Sequence, residues 1–476
     1  MKVPESIFRE YDIRGVVGKE LDAPFARSLG RAYASLLRAE KPEVFAERRA
    51  PQVGVGCDCR VSSPELTEAL VEGILSGGVS VVHCGMGPTP QLYYSVFSLH
   101  LAGGIQVTGS HNPGDQNGFK IMIGEKTLSG DAIQQLKQLV LQPKHSSEGR
   151  DVPAAVLSKF DARNAYIREL ISRSASSMNP KRQVRVVVDG GNGVGGLVGP
   201  QVLRELGCVV IELYTEPDGR FPNHHPDPTV VENLRDLQAA VVKYQADVGI
   251  AWDGDADRIG VVNERGEPIF GDMLLLLYGR RLLAEVERPI IIGDVKCSDL
   301  MFADLEARGA RTIMWKTGHS LIKSKLQELN AHLAGEMSGH MFFGHRYYGF
   351  DDAIHASARL VEIISHAPGK LSDLLADLPP TVSTPEIRRE CPEHLKFLIS
   401  EKAKTAFPGY ETITLDGVRV KFPHGWGLVR ASNTQPVLVL RFEADSEQHL
   451  REYQRIVETK ISELEQESNH GSRAGS

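Results

Sequence analysis

Three segments of the chain repeat one pattern of apolar and polar positions. They begin at residues 51, 184 and 289, and each has an apolar run that ends at or next to Asp, a helix-forming stretch, a Gly and a second apolar run. In the first segment, Leu66, Leu70 and Ile74 have helical spacing. Each segment therefore predicts a strand–helix–strand unit. The fold class predicted is α/β, with three similar domains built on mixed or parallel sheets; one large doubly wound sheet is the alternative.

The pattern changes beyond a proline-rich stretch at 375–391. Residues 392–465 predict a helix, short strands and a final helix from about Glu447 to Glu465, which together fit a smaller α+β domain. Polar stretches near 145–155 and 263–272 mark the other boundaries. The predicted domains are 1–152, 153–265, 266–379 and 380–466, followed by a flexible tail at 467–476.

Length and charge narrow the classes of partner. At 476 residues the chain is long enough for three or four domains. Its net charge of −7 is spread along the sequence without a basic tract, which favours a small-molecule partner and predicts no nucleic acid partner. No apolar run of ~18 residues and no signal peptide are present, so a cytoplasmic protein without a membrane partner is expected. The six cysteines form no CxxC pair and are interpreted as reduced core thiols.

Ser110 lies in a glycine-rich segment, QVTGSHNPGDQNGFKI at 106–121, that also contains His111, Asn112 and Lys120. An apolar run ending in Gly, Ser, Asn and Pro predicts a strand that opens into a loop, where side chains face a ligand. An acyl-transfer nucleophile would need G-x-S-x-G, and Thr108 and Asn112 occupy those glycine positions. A serine beside a basic residue suits phosphoryl transfer better, although a simple turn remains the alternative.

Asp253, Asp255 and Asp257 alternate in the sequence DGDADR. In an extended stretch their side chains would point to one side, and their mutual repulsion favours a bound hard cation such as Mg²⁺. A calcium-binding EF-hand does not fit, because Arg258 stands where that loop needs Gly and the flanking segments predict strands. A solvated acidic turn is the remaining alternative.

At this point the chain resembles the α-D-phosphohexomutase family, of the bacterial phosphomannomutase/phosphoglucomutase type. The matching motifs occur in the family's order and cover the chain to about residue 465: YDIRG at 11–15, TGSHNPGDQNGFK at 108–120, DGDADR at 253–258, DVKC at 294–297, KTGHS at 316–320, GEMSGH at 335–340 and RASNT at 430–434. The resemblance implies three α/β domains and a smaller fourth domain around a central cleft.

The resemblance also implies a reaction and a set of site residues. Ser110, as a phosphoserine, would give its phosphoryl group to a hexose monophosphate (mannose or glucose). The resulting hexose 1,6-bisphosphate, which is both intermediate and activator, would turn over and return the other phosphate. Mg²⁺ would be held by Asp253, Asp255, Asp257 and the phosphoserine at Ser110. The remaining catalytic candidates are His111, Lys120 as general base, Arg258 as a cation and His319 as a weaker candidate acid, with a turn histidine as its alternative.

Substrate contacts are expected from three further groups. Arg430, Ser432, Asn433 and Thr434 would bind the substrate's second phosphate, which suits a dianion, although a plain polar hairpin is the alternative. Glu336 and Ser338 would contact two sugar hydroxyls, and His340 could equally be structural. Tyr11, Arg14 and Lys296 stand at positions that the family places in the cleft. Because one Glu/Ser pair must grip two orientations of the sugar, we expect O2 to be held loosely and both C2 epimers to be accepted.

The sequence leaves three other functions open. Phosphoglucosamine mutase is the alternative within the family, although Met337 favours the mannose/glucose branch. A metal-dependent sugar phosphatase could use DGDADR, but the aspartate-nucleophile pattern D-x-D-x-[TV] needs Thr or Val at the position that Asp257 occupies. A non-catalytic sugar-phosphate binding protein is the third. A monomer or weak dimer is expected.

Overall fold

The structure, a computed structural model, describes residues 4–46, 50–142, 154–433 and 435–473, with side chains to residue 468. The first sheet has the strand order β1-β5-β4-β2-β3-β7, with β6 paired to β5. Its strands are β1 (Ile13–Val16), β2 (Gln52–Cys57), β3 (Ser80–Met86), β4 (Gly103–Val107), β5 (Gln116–Ile123), β6 (Lys126–Thr127) and β7 (Leu157–Lys159). The helices around it are α1 (Ala23–Glu40), α2 (Ser63–Ser76), α3 (Thr89–Ser98) and α4 (Asp131–Leu141).

The second and third sheets are separate from the first, with strand orders β12-β11-β10-β8-β9 and β14-β13-β15-β16. The second domain contains α5 (Ala162–Ser174), β8 (Arg185–Asp189), α6 (Gly199–Glu205), β9 (Val209–Leu213), α7 (Arg235–Tyr244), β10 (Val248–Trp252), β11 (Ile259–Asn263) and β12 (Pro268–Ile269). The third contains α8 (Gly271–Leu282), β13 (Ile290–Asp294), α9 (Asp299–Ala307), β14 (Arg311–Trp315), α10 (His319–Leu329), β15 (Leu333–Gly335), β16 (Met341–Phe343) and α11 (Ala353–His366). Separate sheets exclude the single doubly wound sheet.

All three predicted strand–helix–strand units are confirmed. The paired strands β2–β3, β8–β9 and β13–β14 are each parallel, as a crossover through a helix requires. The sheets are mixed because each also contains an antiparallel pair. One boundary lies elsewhere than expected: β7 falls after residue 152 but pairs with β3, so the first sheet extends past that position.

The fourth sheet is antiparallel, in the order β17-β22-β21-β20-β19 with β18 paired to β22. Its elements are β17 (Val382–Ser383), β18 (Ile387–Glu390), α12 (Glu393–Ala403), β19 (Glu411–Ile413), β20 (Val418–Phe422), β21 (Gly425–Ala431), β22 (Val437–Ala444) and α13 (Glu447–Arg473). The prediction that the last helix ends at Glu465 is wrong. The helix continues through the first part of the supposed flexible tail, where buried Ser468 accepts a hydrogen bond from Lys402 Nζ at 3.0 Å.

Packing ties the first three domains together. One cluster of buried apolar residues includes Tyr93 of the first domain, Trp252 of the second and Leu275 of the third. Tight burial of this kind gives the three sheets a fixed relative position. The fourth domain has its own core, which includes Val420 and Phe442.

A buried polar contact joins the fourth domain to the third. The Arg419 guanidinium lies 3.6 Å from the centroid of the Trp426 ring and donates to the Val295 carbonyl at 2.8 Å. Arg441 donates to Asp272 Oδ2 at 3.1 Å, and both arginines are at most 2% exposed. Burying cations this deeply is tolerable because each has a carboxylate, carbonyl or aromatic partner.

All six cysteines are free thiols, five of them buried, as expected of reduced core thiols. Within the ranges given above, no helix combines the length and the apolar character that crossing a bilayer requires.

Candidate active site

The candidate residues lie where strands end. Ser110 follows β4, the aspartates follow β10, and Lys296 and Glu336 follow β13 and β15. Loops at the carboxyl ends of parallel strands are the usual ligand sites of α/β sheets. The three sheets direct these ends toward one another, since Thr89 of the first domain donates to Asp255 of the second, and Arg258 of the second donates to His340 of the third.

Ser110 has an unusual backbone conformation, with φ at 48° in the left-handed region. This conformation is disfavoured for a residue with a β-carbon and is retained where the surroundings impose it. The Ser110 amide donates to Thr108 Oγ1 at 2.9 Å, and its hydroxyl donates to Asp253 Oδ2 at 2.8 Å. His111 Nδ1 lies 3.2 Å from the same hydroxyl. The 1% exposed serine is therefore aimed at the aspartates.

Arg60 imposes that loop shape. Its fully buried guanidinium donates to four loop carbonyls, of Ser110 at 2.7 Å, Asn112 at 2.6 Å, Pro113 at 2.5 Å and Gln116 at 2.8 Å. Asp58 Oδ2 neutralises Arg60 at 3.1 Å and accepts from Thr108 Oγ1 at 2.8 Å. Sequence reasoning missed both residues. The signal available was a pair of opposite charges, Asp58 and Arg60, directly after an apolar strand.

Asp253, Asp255 and Asp257 converge in a tight turn, and the expected extended stretch is wrong. Ala256 has φ at 56°, and Asp253 Oδ1 accepts from the amides of Asp257 at 3.0 Å and Arg258 at 3.1 Å. The turn brings one oxygen from each carboxylate within 4.8 Å of the others. All three are fully buried, which excludes a solvated acidic turn. The flanking β10 and β11 are antiparallel strands, as predicted, and not the helices of an EF-hand.

The electrostatics of this cluster are those of a cation site. Burial and the neighbouring Asp257 and Asp255 raise the pKa of Asp253 well above its ordinary value. Burial alone would also raise the pKa of Asp255, but the Lys120 ammonium, 2.7 Å away, holds that pKa below its ordinary value. The hard oxygen ligands and the nearby Ser110 hydroxyl fit Mg²⁺. Asp255 Oδ1 and Asp257 Oδ1 are buried without a hydrogen-bond partner among the described residues, which leaves them available as ligands.

Lys120, 3% exposed on β5, also contacts Asp257. Burial lowers the pKa of Lys120, but the three surrounding aspartates outweigh it and raise the pKa above its ordinary value. Lys120 is thus an ammonium in this arrangement, and its role as a general base stays a prediction. Burial and the nearby Arg258 lower the pKa of His111 well below its ordinary value, so the imidazole beside Ser110 is neutral.

Arg258 and His340 connect the aspartate turn to the GEMSGH loop. Arg258 Nε donates to His340 Nε2 at 2.9 Å, and the Ile259 amide donates to the Gly339 carbonyl at 3.1 Å. Gly339 has φ at 92°, and a β-carbon there would collide with the Ile259 carbonyl oxygen. The close approach of the two loops therefore requires glycine at this position.

Glu336 lies at the end of β15 with both carboxylate oxygens engaged. The Gly318 amide donates to Oε1, and the Ser338 hydroxyl donates to Oε2 at 3.2 Å. Each oxygen can still accept one more hydrogen bond. His319 follows Gly318 and packs edge-on against Tyr11, with ring centroids 5.7 Å apart. Burial and Lys323 lower the pKa of His319 well below its ordinary value, so it is neutral.

The fourth domain brings its loop to the same cleft. Asn433 Nδ2 donates to the Tyr11 hydroxyl at 2.7 Å, and Tyr11 donates to the Thr317 carbonyl at 3.0 Å. Arg430 pairs with Asp416 at 3.0 Å.

Four further candidates complete the set, three of them among the described residues. Ser432 Oγ accepts from the Gln435 amide at 3.1 Å, and Thr434 lies outside the described residues. Lys296 contacts Glu386 at 3.1 Å. Arg14 donates to Asn112 Oδ1 at 2.8 Å, beside the serine loop. The structure thus brings together the predicted residues that it describes.

A serine hydroxyl facing a buried carboxylate cluster and ringed by cations defines a phosphoryl-transfer enzyme. Phosphoglucomutase/phosphomannomutase alpha/beta/alpha domains I, II and III match residues 5–146, 164–266 and 270–382, and the C-terminal domain of that family matches residues 386–460. The chain belongs to the phosphoglucomutase/phosphomannomutase family, and it is a mutase of the α-D-phosphohexomutase class.

Relatives match the chain over nearly its whole length. It is 45% identical to a phosphomannomutase/phosphoglucomutase of Pseudomonas aeruginosa over 97% of each chain, and 44% identical to a phosphoglucomutase of Neisseria gonorrhoeae over 94% of each. A crystal structure of a phosphoglucomutase/phosphomannomutase family protein from Burkholderia thailandensis superposes with a TM-score of 0.87 at 41% identity, covering 97% of this chain and 98% of that one.

Proposed function

We propose that the protein interconverts the 1-phosphates and 6-phosphates of glucose and mannose through a phosphoserine at Ser110. The observation that carries the proposal is the Ser110 hydroxyl, 2.8 Å from Asp253 within a buried carboxylate cluster. In the first half-reaction the bond between phosphorus and Ser110 Oγ breaks and a bond from phosphorus to a sugar hydroxyl oxygen forms, while that hydroxyl loses its proton and Ser110 Oγ gains one. The hexose 1,6-bisphosphate then turns over and returns its other phosphoryl group to Ser110 Oγ.

Asp253, Asp255, Asp257 and an oxygen of the phosphoserine would hold Mg²⁺. When bound, the ion would neutralise charge on the transferring phosphoryl group. The raised pKa of Asp253 supports this assignment, because burial and like charges make the carboxylate bind a cation or a proton. Removal of divalent cations should therefore abolish activity, and added Mg²⁺ should restore it.

The chain's own cations would stabilise the same charge. Lys120, Arg258 and Arg14 surround the serine loop, and positioned cations in a buried site act more strongly than in water. The neutral imidazoles of His111 and His319 can each exchange a proton with a hydroxyl, His111 from 3.2 Å beside Ser110. Either histidine, or Lys120 after losing its proton, could take the proton from the attacking sugar hydroxyl.

Glu336 and Ser338 would bind two adjacent sugar hydroxyls, O3 and O4, which are exchanged when the sugar turns over. Arg430, Ser432, Asn433 and Thr434 would bind the phosphate remote from Ser110, with Tyr11 and Lys296 nearby. O2 would then be held loosely, which supports the acceptance of both glucose and mannose. The proposed assembly is a monomer or weak dimer.

Intact-mass spectrometry tests the phosphoserine. Freshly purified protein should contain a fraction heavier by one phosphate, and Ser110→Ala should lose that fraction and its turnover. Ser172→Ala is the matched control, because the Ser172 hydroxyl bonds the Glu169 carbonyl of its own exposed helix turn. Wild-type protein that is always unmodified, yet fully active without added bisphosphate, would contradict the scheme.

A side-by-side assay of glucose 1-phosphate, mannose 1-phosphate and glucosamine 1-phosphate tests the substrate. Comparable kcat/KM values for glucose and mannose are expected, and a thousandfold preference between them would refute loose binding of O2. Preferred use of glucosamine 1-phosphate would indicate phosphoglucosamine mutase, and net release of inorganic phosphate would indicate a phosphatase. Binding by Ser110→Ala without any wild-type turnover would indicate a binding protein.

A further inference from the structure

Asp351 is a fully buried carboxylate with no role in the reaction as described so far. Its Oδ1 accepts from Lys323 Nζ at 2.9 Å. Its Oδ2 lies 3.1 Å from His340 Nδ1 and 3.6 Å from His319 Nδ1. Asp351 therefore contacts two histidines of the cleft, His319 and His340.

The bond from Arg258 determines which nitrogen of the His340 ring carries the proton. Arginine can only donate, so the 2.9 Å bond from Arg258 Nε requires a free lone pair on His340 Nε2. The ring proton must then lie on Nδ1, which faces Asp351. Among the described residues, neither His340 Nδ1 nor Asp351 Oδ2 makes a hydrogen bond of good geometry, and the two atoms lie 3.1 Å apart. The other carboxylate near Nδ1, that of Asp257, is farther away, with Oδ1 at 3.6 Å.

We propose that Asp351 is a positioning residue that holds His340 as its Nδ1–H tautomer and thereby fixes the guanidinium of Arg258. Without the carboxylate, the ring could carry its proton on Nε2, where it would oppose the N–H of Arg258. With it, His340 binds Nε of Arg258 and leaves the terminal guanidinium nitrogens for the phosphoryl group. Outer-shell carboxylates orient metal-bound histidines in the same way. The role in catalysis rests on the proposed function.

Asp351→Asn keeps the shape of the side chain and removes its charge. Because a poorly aimed guanidinium weakens stabilisation of the transition state more than substrate binding, kcat should fall about 10–100-fold while KM stays within about threefold. If the effect passes through His340, the double variant Asp351→Asn/His340→Gln should be no slower than His340→Gln alone.

The neighbouring Asp352 supplies a matched control. It is equally buried, but it accepts from the Tyr166 and Tyr347 hydroxyls at 2.7 and 2.6 Å and caps α11. Asp352→Asn should change thermal stability with kcat near the wild-type value. A loss of kcat equal to that of Asp351→Asn would overturn the proposal by indicating a general packing effect.

A readout on the wild-type enzyme does not depend on activity. In ¹⁵N-histidine NMR spectra, the signals lost in His340→Gln should show a proton on Nδ1 and none on Nε2. Protonation at Nε2 would overturn the proposal, as would a kcat of Asp351→Asn within twofold of wild type or additive losses in the double variant. An Nδ1–H tautomer in a protein without mutase activity would refute the proposed function and leave the positioning contact standing.

Discussion

Replacing Arg60 with Met tests whether one buried guanidinium sets the shape of the serine loop. The substitution keeps an unbranched side chain but removes the bonds to the four loop carbonyls and the ion pair with Asp58. Asp58 would keep its bonds from Thr108, Ser63 and the Gly109 amide, yet it would be a buried charge without a cation.

The expected loss of stability in Arg60→Met follows from that unpaired charge. Breaking a buried ion pair from one side costs about 3–5 kcal/mol. The bonds to the loop carbonyls add less, because three of the four carbonyls, those of Asn112, Pro113 and Gln116, belong to residues that are not fully buried and can bind water instead. For a domain of this size each kcal/mol lowers Tm by roughly 2–4 °C, so Tm should fall by roughly 6–20 °C. Since the Ser110 carbonyl loses its anchor, displacement of the hydroxyl should lower kcat by about 100-fold.

Thermal unfolding and mutase kinetics of the full-length protein provide the assay. Arg27→Met is the matched control: Arg27 pairs with Glu72 at 2.6 Å, but the two side chains are 40% and 59% exposed, and such pairs contribute about 0–1 kcal/mol. A Tm of Arg60→Met as close to wild type as that of Arg27→Met would refute the reasoning. It would mean that Asp58 and Thr108 hold the loop without the cation.

Three further predictions follow from described contacts. Gly339→Ala should lower kcat/KM by at least about tenfold, measured by steady-state kinetics, because its β-carbon would push the loop away from Ile259; unchanged kinetics would contradict this. Although burial raises the pKa of Glu386, the partner Lys296 outweighs it and lowers that pKa from 4.5 to about 2. A depressed carboxylate pKa contributes stability above the unfolded value, so Glu386→Gln should destabilise by about 3 kcal/mol at pH 7, with the difference vanishing between pH 4.5 and 2 in thermal scans. Arg441→Met should speed proteolytic separation of the fourth domain, since it leaves buried carboxylates without their cation; equal cleavage rates would refute this.

Local patterns were sufficient to predict the strand–helix–strand units, because apolar strand runs and helical spacing are properties of neighbouring residues. The serine loop and the aspartate turn were found for a similar reason, since their chemistry is concentrated in short motifs. Their backbone shapes were not predictable. Ser110 and Ala256 adopt left-handed conformations that a β-carbon disfavours, and long-range contacts such as those of Arg60 are needed to impose them.

Contacts between distant segments account for the other features that the sequence did not predict. Asp58 and Asp351 act on residues far along the chain, so no spacing rule in the sequence links them to Ser110 or Arg258. The strand β7 is a short edge strand with an exposed Leu157, which lacks the apolar run of a central strand. The end of α13 was misplaced because its last turns are polar, and the bond from Lys402 to Ser468 is a tertiary contact.

The bond from Asn433 to Tyr11 links the last domain to the first, so the four domains form a closed ring around the cleft. A bisphosphorylated sugar can leave the cleft, and a new substrate can enter, when the contact between two of the domains breaks. Breaking the interface at Trp426 would expose two buried arginines, whereas the bond between Asn433 and Tyr11 is a neutral hydrogen bond that contributes only about 1 kcal/mol. The contact between Asn433 and Tyr11 is therefore the one that should break on every catalytic cycle.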